Sequence, residues 1–554
     1  MLANVYSSGL VGLNAYLFSV QVDACNGLPH TTMVGNVSPS VREAIDRASI
    51  ALKNNGMELL PKKVTINIQP ADIRKNGTSF DFAILVGVLC AVEDLTDFPY
   101  GNYAFLGELG LDGEIKHIPG VLPMVLAMEE AGIEGVFVGK EDEKEARICE
   151  KIKVIAVSSV EDFLQILSEK SLQYRERRRR GRNGRRDDLR INMPRSVTQM
   201  GSKKIVIGMQ YSSQTEKNEK TDFLDILGQE AGIRASLIAA SGMHALLFSG
   251  PAGTGKSMLA KRIPGILPKL SKEEKLEVSK IYSIAGKLAS DEGMIEERPF
   301  RAPHSAISQN TLLGGMIRGN LVPGELALAT KGVLFLDEFP LFKKETIEAL
   351  RAPLEEKEVV LHRLQQSFSY KVDCILIVAM NPCPCGFYPD RNRCHCTPGQ
   401  IRAYQRGLSK PILERIDLSV ELPPVSLEKA MEKSGRISSS ALQKKVEEAI
   451  KAILDGKEKV PPALGNKKKR FFHEEHISFN SQMGPAEIKK YCSLGQEEEE
   501  FMKKIFSLKN LSMRIYHKIL KVARTIADLE GEKDIGITHL SEAVSYRVVE
   551  EKLY

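Results

Sequence analysis

The sequence lacks any apolar run long enough to cross a bilayer. The longest such run, Phe82 to Val92, is about half of the roughly 20 residues that a transmembrane helix needs. The chain also begins without the basic stretch and apolar core of a secretory signal peptide. Together these absences predict a cytoplasmic protein with no membrane partner.

Cysteine is scarce as well, since the 554 residues include only nine. This number fits a reducing compartment if some of the cysteines are metal ligands and not disulfides. With 43% apolar residues the chain can bury a sizeable core, but it is too long for a single one. We therefore expect about three domains.

A large net charge is also absent, because 77 basic and 71 acidic residues leave a formal net charge of +6. The distribution is uneven: residues 175–190 hold nine arginines without apolar periodicity, and polar sequence continues to about Lys220. This composition predicts a flexible basic linker at 171–220. Two roles stay open for it, a solvated tether and an electrostatic contact with phosphate backbones.

Eight consecutive residues form the first motif that carries chemistry. They are Gly250, Pro251, Ala252, Gly253, Thr254, Gly255, Lys256 and Ser257, between an apolar run and a helix-like stretch. This G-x-x-x-x-G-K-S pattern predicts a phosphate-binding loop, although a glycine-rich turn that matches by accident is the alternative. Backbone N–H groups would surround the phosphates of ATP, with Lys256 supplying charge and Ser257 holding Mg²⁺.

A second motif, Val333 to Glu338, reads as an apolar strand that ends in two carboxylates. We expect this strand to lie beside the strand of the phosphate loop in a parallel sheet. Asp337 would then hold Mg²⁺, and Glu338 would act as a general base toward water. The two motifs together predict ATP hydrolysis and argue against an accidental match.

Residues 1–170 alternate short β-rich runs with helical ones, which predicts an α+β domain. Strands are expected at Ala15 to Val22, Lys63 to Ile68 and Gly135 to Val138. Helices are expected at Ser40 to Asn54 and Val121 to Ala131.

Three segments of this domain, Gly35 to Ser38, Pro70 to Asp81 and Gly107 to Ile115, resemble the proteolytic domain of the Lon family. The resemblance implies a fold of the ribosomal S5 domain 2 type and puts Ser79 at the family's serine. The family's lysine is missing, because the corresponding stretch Ile118 to Pro123 offers no amine. We therefore expect a catalytically silent domain in which Ser79 is a turn or capping residue.

The segments Arg298 to His304, Leu313 to Gly315 and Gly324 to Ala329 are distinctive as a series. They resemble AAA+ proteins of the magnesium-chelatase type, in which an α/β P-loop NTPase core is followed by a helical lid. The resemblance implies an ATPase core at 221–424 and a helical C-terminal lid at 425–554. His304 taken alone reads as a structural hydrogen-bonding group.

Three later residues take roles from this resemblance. Ile375 to Met380 reads as an apolar strand that delivers Asn381, which would sense the γ-phosphate and orient water. Arg415 would be an arginine finger that reaches the nucleotide of a neighbouring subunit. Arg514 would be the sensor arginine of the lid, near the phosphates. For either arginine alone, a surface ion pair is the alternative.

Cys383, Cys385, Cys394 and Cys396 form two C-x-C pairs whose spacing can wrap one tetrahedral Zn²⁺ ion. His395 lies inside the pattern as a candidate substitute ligand. The residues between the pairs are polar and turn-forming, with little else to stabilise them. We therefore favour a structural zinc site over four reduced thiols in a mobile loop.

With the Lon-like front domain, the stretch Asn381 to Gly386 resembles ComM/YifB-type proteins, which are magnesium-chelatase-like AAA+ ATPases. The resemblance implies a hexameric helicase that promotes branch migration of DNA in recombination or natural transformation. The segment Val359 to Val372 has strand-like halves around Arg363, Gln365 and Gln366, and it resembles a hairpin that grips a strand in helicases. Its polar tip suits contacts with DNA phosphates.

Other functions stay open. An ATPase that drives a chelatase-like partner is opposed only by the domain architecture, and a protein-remodelling ATPase is a further alternative. A Lon-type protease is opposed by the missing lysine.

Overall fold

The computed structural model describes residues 2–57, 61–93, 100–167, 221–288, 293–317, 320–363, 366–425, 436–456, 479–509 and 511–547. The predicted basic linker at 171–220 lies outside them, as does Gln365. The chain divides into two compact units, one formed by Met1–Glu219 with Ser283–Gly293 and the other by Lys220–Tyr282 with Met294–Tyr554. The finer domain boundaries stay predictions. Within the described ranges, every helix is too short or too polar to span a membrane.

The first unit is built on a mixed sheet with the strand order β3-β4-β2-β1-β5-β8-β9. Its strands are β1 (Leu2–Val11), β2 (Asn14–Cys25), β3 (His30–Val34), β4 (Lys63–Gln69), β5 (Tyr103–Phe105), β6 (Glu108–Leu109), β7 (Ile115–Lys116), β8 (Gly135–Gly139) and β9 (Lys153–Val157). Its helices include α1 (Pro39–Arg42), α2 (Ala44–Asn54), α3 (Asp81–Glu93), α4 (Val121–Glu130) and α5 (Glu143–Ala146). Strand β2 pairs antiparallel with β1 and β4, and the other neighbours in the sheet run parallel.

The predicted strands and helices of this unit are present, with small differences at their ends. The single helix expected at Ser40 to Asn54 is interrupted at Glu43, which separates α1 from α2. Strand β1 was not predicted, and it joins β2 through Gly12, whose φ of +68° suits a residue without a side chain. Helix α3 packs closely against β2 at Gly87, where a Cβ atom would lie only 2.7 Å from Val22 Cγ2. Its nearly all-apolar sequence is therefore explained by burial.

The second unit contains a five-stranded parallel sheet with the order β11-β14-β17-β10-β18. Its strands are β10 (Leu246–Ser249), β11 (Phe300–Arg301), β12 (Gly314–Ile317), β13 (Asn320–Pro323), β14 (Val333–Leu336), β15 (Glu358–Arg363), β16 (Gln366–Lys371), β17 (Ile375–Met380) and β18 (Leu418–Glu421). Its described helices include α6 (Glu230–Gly242), α7 (Lys256–Arg262), α8 (Lys272–Ile284), α9 (Gln309–Leu313), α10 (Glu325–Leu328), α11 (Lys344–Glu348), α12 (Arg351–Glu356), α13 (Pro398–Gln405), α14 (Lys410–Leu413), α15 (Ser439–Gly456), α16 (Pro485–Tyr491), α17 (Gln496–Leu508), α18 (Met513–Glu530) and α19 (Ile537–Ser545). The remaining strands form two hairpins, β12 with β13 and β15 with β16.

Strand β14 does not lie beside β10, so that part of the sequence prediction is wrong. Strand β17 stands between them and pairs in parallel with both. All six residues of β17 are buried, which suits a central strand that is covered on both faces. Because the strands run parallel, the residues that follow β10, β14 and β17 still meet at one edge of the sheet.

The last helices of the chain share a core with this sheet. Buried side chains of α15, α18 and α19 belong to the same apolar cluster as those of β10, β17 and β18. Helix α18 begins at Met513, where Ser512 Oγ caps it by accepting from the N–H of Ile515. Arg514 lies in the first turn of this helix.

Candidate nucleotide site

The phosphate loop leads directly from β10 into α7. Gly253 and Gly255 take φ values of +83° and +88°, in the left-handed region that glycine adopts at little cost. A Cβ atom on either would meet nothing within 4 Å, so these residues face open space. Gly250 has the opposite surroundings, because its Cβ would lie 2.4 Å from the carbonyl oxygen of Leu422. The loop is therefore packed at its base and open along its rim.

Lys256 is buried inside this loop, with 8% of its surface exposed. Its Nζ donates to the carbonyl oxygens of Gly250 and Pro251 at 2.7 and 2.8 Å, and to Asn381 Oδ1 at 3.0 Å. Burial lowers the pKa of Lys256, and the Asp337 carboxylate partly offsets that effect. Its bonded partners are neutral oxygens, and an anionic phosphate would form a stronger, charge-assisted bond.

Ser257 joins the first motif to the second, since its Oγ donates to Asp337 Oδ2 over 2.6 Å. Asp337 Oδ1 accepts from the N–H of Glu338 at 2.8 Å. A hydroxyl beside a carboxylate is an oxygen pair that phosphate-loop proteins use to hold Mg²⁺. Glu338 is exposed and has a φ of +51°. Backbone strain of this kind is concentrated at functional sites in proteins.

Two side chains that the sequence analysis did not single out complete this part of the site. Gln229 is 3% exposed, and its Nε2 donates to the carbonyl oxygens of Thr254 and Pro423 at 3.1 and 2.8 Å. Its Oε1 has no hydrogen-bond partner among the described residues. In the sequence, Gln229 could have been noticed only as a polar residue directly before α6.

Tyr404 in α13 is the second such residue. Burial raises the pKa of its hydroxyl to about 12, while a hydrogen bond from the N–H of Asn381 opposes the shift and the charge of Glu338 adds to it. The hydroxyl therefore lies beside Asn381 at the end of β17, within electrostatic reach of the two acidic residues that follow β14. No local pattern marks Tyr404 in the sequence.

Arg415 and Arg514 lie together on one carboxylate, Glu355 of α12. Arg415 Nη2 bonds to Glu355 Oε2, and its Nη1 donates to the carbonyl oxygen of Pro411 at 2.6 Å. Arg514 Nη2 lies 2.6 Å from Glu355 Oε1. Among the described residues, no hydrogen bond or ion pair joins either arginine to the phosphate loop. The structure thus brings the two predicted arginines together on Glu355 and not at Lys256.

The arginines line a cavity of about 230 Å³. Further basic residues in its walls are Lys357, His517, Lys518 and Lys521, and the acidic ones are Glu355 and Asp417. Asp417 accepts from Lys518 Nζ at 2.6 Å and from the N–H of Ala245 at 3.0 Å. Burial opposes ionisation of Asp417, but Lys518 and His244 outweigh it and hold its pKa well below the ordinary value. The excess of positive charge suits an anionic partner.

The four predicted metal ligands converge in the loop that follows Asn381. The sulfur atoms of Cys383, Cys385, Cys394 and Cys396 all lie within 4.8 Å of one another. No disulfide joins any of these four cysteines. His395 is exposed and stands outside this group in the part of the chain that the structure describes. The cysteines alone can therefore supply every ligand of one tetrahedral ion.

Ser79 in the first unit is 5% exposed and precedes α3. At the start of that helix, Asp81 accepts two bonds from Arg47 at 2.8 and 2.9 Å. Burial raises the pKa of Asp81 to about 6, against the pull of Arg47. Lys75 is buried nearby in sequence, but its amine donates to the carbonyl oxygen of Pro70. No bond in the described residues joins Ser79 to a lysine, and the silent role of this domain stays a prediction.

The distinctive arginines before β14 have structural partners. Arg298 donates to the carbonyl oxygen of Lys331 at 2.6 Å, and Arg301 forms two bonds to Glu325 at 2.6 and 2.9 Å. His304 is exposed and its Nδ1 accepts from the N–H of Ala306 at 3.2 Å. These contacts agree with a structural role for His304.

Three family models match successive parts of the chain. Residues 222–430 match the model described as magnesium chelatase, subunit ChlI, and residues 437–547 match its C-terminal part. Residues 20–142 match a model described as subunit ChlI of Mg-chelatase. Chelatase-type similarity therefore extends into the first unit as well as the second.

Full-length relatives also match. The competence protein ComM of Haemophilus influenzae is 33% identical over 553 residues, covering 99% of this chain and 98% of its own length. YifB of Salmonella typhimurium is 35% identical over 555 residues, covering 100% of this chain and 98% of its own. Lon protease 2 of Bacillus subtilis is 27% identical over 150 residues, 26% of each chain.

Proposed function

The chain belongs to the ComM/YifB family of magnesium-chelatase-like AAA+ ATPases, and from this premise we propose that it is a ring-forming, ATP-driven DNA motor. The motor would promote branch migration in recombination or in natural transformation. It would act in the cytoplasm, without a membrane partner.

The observation that carries the proposal is the convergence of four predicted residues at one edge of the sheet. Lys256 bonds to Asn381, and Ser257 bonds to Asp337. The surroundings fit Mg·ATP, because the rim of the phosphate loop is open at Gly253 and Gly255. Gln229 also offers a buried acceptor without a partner in the described residues. An accidental glycine-rich turn would not bring these chemical groups together.

The residues of this site would divide the work of hydrolysis. Bound Mg·ATP supplies the phosphoryl group and a cation that neutralises its charge. The phosphate loop and Lys256 would bind the phosphates, and Ser257 and Asp337 would hold the Mg²⁺ ion. Glu338 would accept a proton from the attacking water on its carboxylate, and the amide of Asn381 would orient that water.

Arg415 and Arg514 would act across a subunit interface. Both are held by Glu355 and lack a bond to the phosphate loop of their own chain in the described residues. A cation that meets a developing phosphoryl charge accelerates phosphoryl transfer strongly, so a finger from a neighbour would couple hydrolysis to assembly. We propose a homo-oligomeric ring, a hexamer as the family resemblance implies.

DNA is the proposed substrate on two grounds. The Haemophilus relative is called a competence protein, and this chain matches it over nearly its whole length. The predicted hairpin is present as β15 and β16, with Arg363 opposite Gln366. We propose that branched or single-stranded DNA contacts this hairpin through its phosphates. The cysteine cluster would hold a structural Zn²⁺ ion.

The second candidate is an ATPase that drives a chelatase-like or protein-remodelling partner. The match of residues 20–142 to a chelatase subunit model favours it. That match also removes the domain architecture as an argument against a chelatase role. The two candidates share the nucleotide site and differ in what the ring acts on.

The test is ATP turnover by the purified chain with and without a four-way DNA junction, with Glu338→Gln as the blank. A DNA motor predicts stimulation by the junction that the variant loses, followed by strand displacement in the next assay. Turnover that ignores DNA while nucleotide binding and ring formation persist would contradict the DNA proposal. It would leave the chelatase-like or protein-remodelling partner as the better explanation.

A further inference from the structure

We propose that Cys383, Cys385, Cys394 and Cys396 bind one Zn²⁺ ion and that the resulting zinc knuckle, residues 383–396, supports the phosphate loop in its nucleotide-binding shape. The metal site stands on the geometry of the cysteines alone. The link to nucleotide binding rests on the proposed function.

The distances between sulfur atoms fit a single ion. Four sulfurs at about 2.3 Å from one Zn²⁺ ion form a tetrahedron with edges of about 3.8 Å. In the structure, the Sγ atom of Cys383 lies 3.3 Å from that of Cys385 and 3.8 Å from that of Cys394. The Sγ atoms of Cys385 and Cys394 lie 3.6 Å apart. A cluster of several irons would hold its thiolates farther apart, because the iron atoms stand between them. Thiolate ligands in a closed tetrahedron favour a structural Zn²⁺ ion.

The surroundings of the cysteines resemble those of a structural metal site. Cys383 and Cys394 are 0% and 5% exposed and pack with Phe387, Tyr388 and Ile401 in a small apolar cluster. The N–H of Tyr388 donates to Cys383 Sγ at 3.5 Å. This cluster is far too small to order the loop by burial, so metal ligation would supply most of its stability.

The knuckle lies beside the phosphate loop at Gly386. This residue has a φ of +81°, and a Cβ placed on it would lie 3.4 Å from Ala252 Cβ and 3.9 Å from Asn381 Cγ. Asn381 in turn bonds to Lys256 and lies two residues before Cys383. Loss of the ion would therefore release a turn that packs against the loop and loosen the residue that bonds to its lysine.

The experiment starts with metal analysis of the full-length chain and continues with nucleotide binding. We expect about one Zn²⁺ ion per chain by inductively coupled plasma mass spectrometry. Stripping the ion with 1,10-phenanthroline in Mg²⁺ buffer should weaken binding of a fluorescent ATP analogue at least about fivefold, and added Zn²⁺ should restore it.

Two variants separate the metal site from its link to nucleotide. Cys394→Ser should lose the ion and the nucleotide affinity together, whereas Cys25→Ser, an exposed thiol in the first unit, should lose neither. Gly386→Ala removes no ligand and should keep the ion, but it should weaken nucleotide binding about fivefold because its φ disfavours a side chain.

Each contrary result has its own meaning. A chain that contains iron, or that neither contains nor takes up Zn²⁺, would overturn the metal site. Nucleotide affinity that is unchanged in both the stripped protein and Gly386→Ala would overturn the link. If the zinc-loaded chain binds no nucleotide, the proposed function fails and the link with it, while the zinc count still supports the metal site.

Discussion

The phosphate loop and the arginine pair belong to the same unit, but their predicted residues are held in different ways. Lys256 and Ser257 bond directly to other predicted residues, Asn381 and Asp337. Arg415 and Arg514 instead bond to Glu355, a residue for which the sequence predicted no role. The residues of the phosphate loop thus bond to other predicted site residues. The two arginines bond to an acidic residue that competes with phosphate for them.

This difference shows which part of the site is complete within one chain. The phosphate loop needs only a nucleotide, because its cation is surrounded by neutral oxygens that a phosphate can replace. Arg415 and Arg514 must break their bonds to the Glu355 carboxylate before they can bind a phosphate. This exchange is favourable when the phosphate forms stronger charge-assisted bonds than the carboxylate does. We therefore expect the phosphate loop to control binding and the arginines to control turnover in the assembled ring.

The largest expected effect is that of Arg415→Ala. Turnover should fall roughly 1,000-fold, because an arginine at the transferring phosphoryl group contributes at least this much in related enzymes. Affinity for an ATP analogue should stay within about twofold, since Arg415 forms no bond to the phosphate loop within the described residues. Steady-state turnover and fluorescence titration measure the two quantities. The exposed Arg402→Ala is the matched control and should change neither.

A mixing experiment sharpens this prediction. Arg415→Ala subunits keep an intact phosphate loop, and Lys256→Met subunits keep an intact arginine. A mixture of the two should recover turnover that neither has alone, because some interfaces then combine an intact loop with an intact finger. Failure to recover turnover in mixed rings would mean that Arg415 acts within its own chain.

The next effect in size is that of Lys256→Met. Affinity for ATP should fall roughly 100-fold, because a buried cation that pairs with phosphate contributes about 3 kcal/mol. Calorimetry or fluorescence titration gives the number directly. Lys261→Met, an exposed lysine on the same helix, should bind as well as the wild type. Equal loss in both variants would point to damage to α7 and not to a lost phosphate contact.

Glu355→Gln tests whether the carboxylate restrains the arginines. Turnover of the assembled ring should rise about three- to fivefold, because Glu355 is 44% exposed and an ion pair with an exposed partner is worth about 1 kcal/mol or less. Glu356→Gln, the exposed neighbour in α12, is the matched control. A fall in turnover would reverse the interpretation, since Glu355 would then orient the arginines for catalysis.

Much of the phosphate side could be predicted from the sequence. Strands β10, β14 and β17 are buried on both faces, so they read as short continuous apolar runs. Their functional residues follow within a few positions of the last strand residue. The order of the strands could not be predicted, because no local pattern says that β17 stands between the other two.

Other features depend on contacts between distant residues. Strand β1 was missed because Ser7 and Ser8 interrupt its apolar pattern, yet both are buried and donate to the carbonyl oxygens of Phe105 and Tyr16 at 3.0 and 2.8 Å. Glu355 was missed for a similar reason, since its partners are 60 and 159 positions away. Such pairings become visible only after the chain has folded.

The smallest expected effect concerns Asp417, which lies in the wall of the arginine cavity. Its folded pKa is lower than its unfolded one, because Lys518 and His244 outweigh the cost of burial. The stability that this provides is therefore present above the unfolded pKa of about 3.9 and is lost as pH falls through the lower folded value.

Asp417→Asn should lower the melting temperature by several degrees at pH 7, because it leaves Lys518 buried without its counter-charge. The deficit relative to wild type should shrink below about pH 4, because the unfolded wild-type carboxylate then binds a proton more readily than the folded one does. Thermal melts of both proteins across this range measure it, with the exposed Asp534→Asn as control. A deficit that is the same at pH 3 and pH 7 would show that Asp417 acts through its hydrogen bonds and not through its charge.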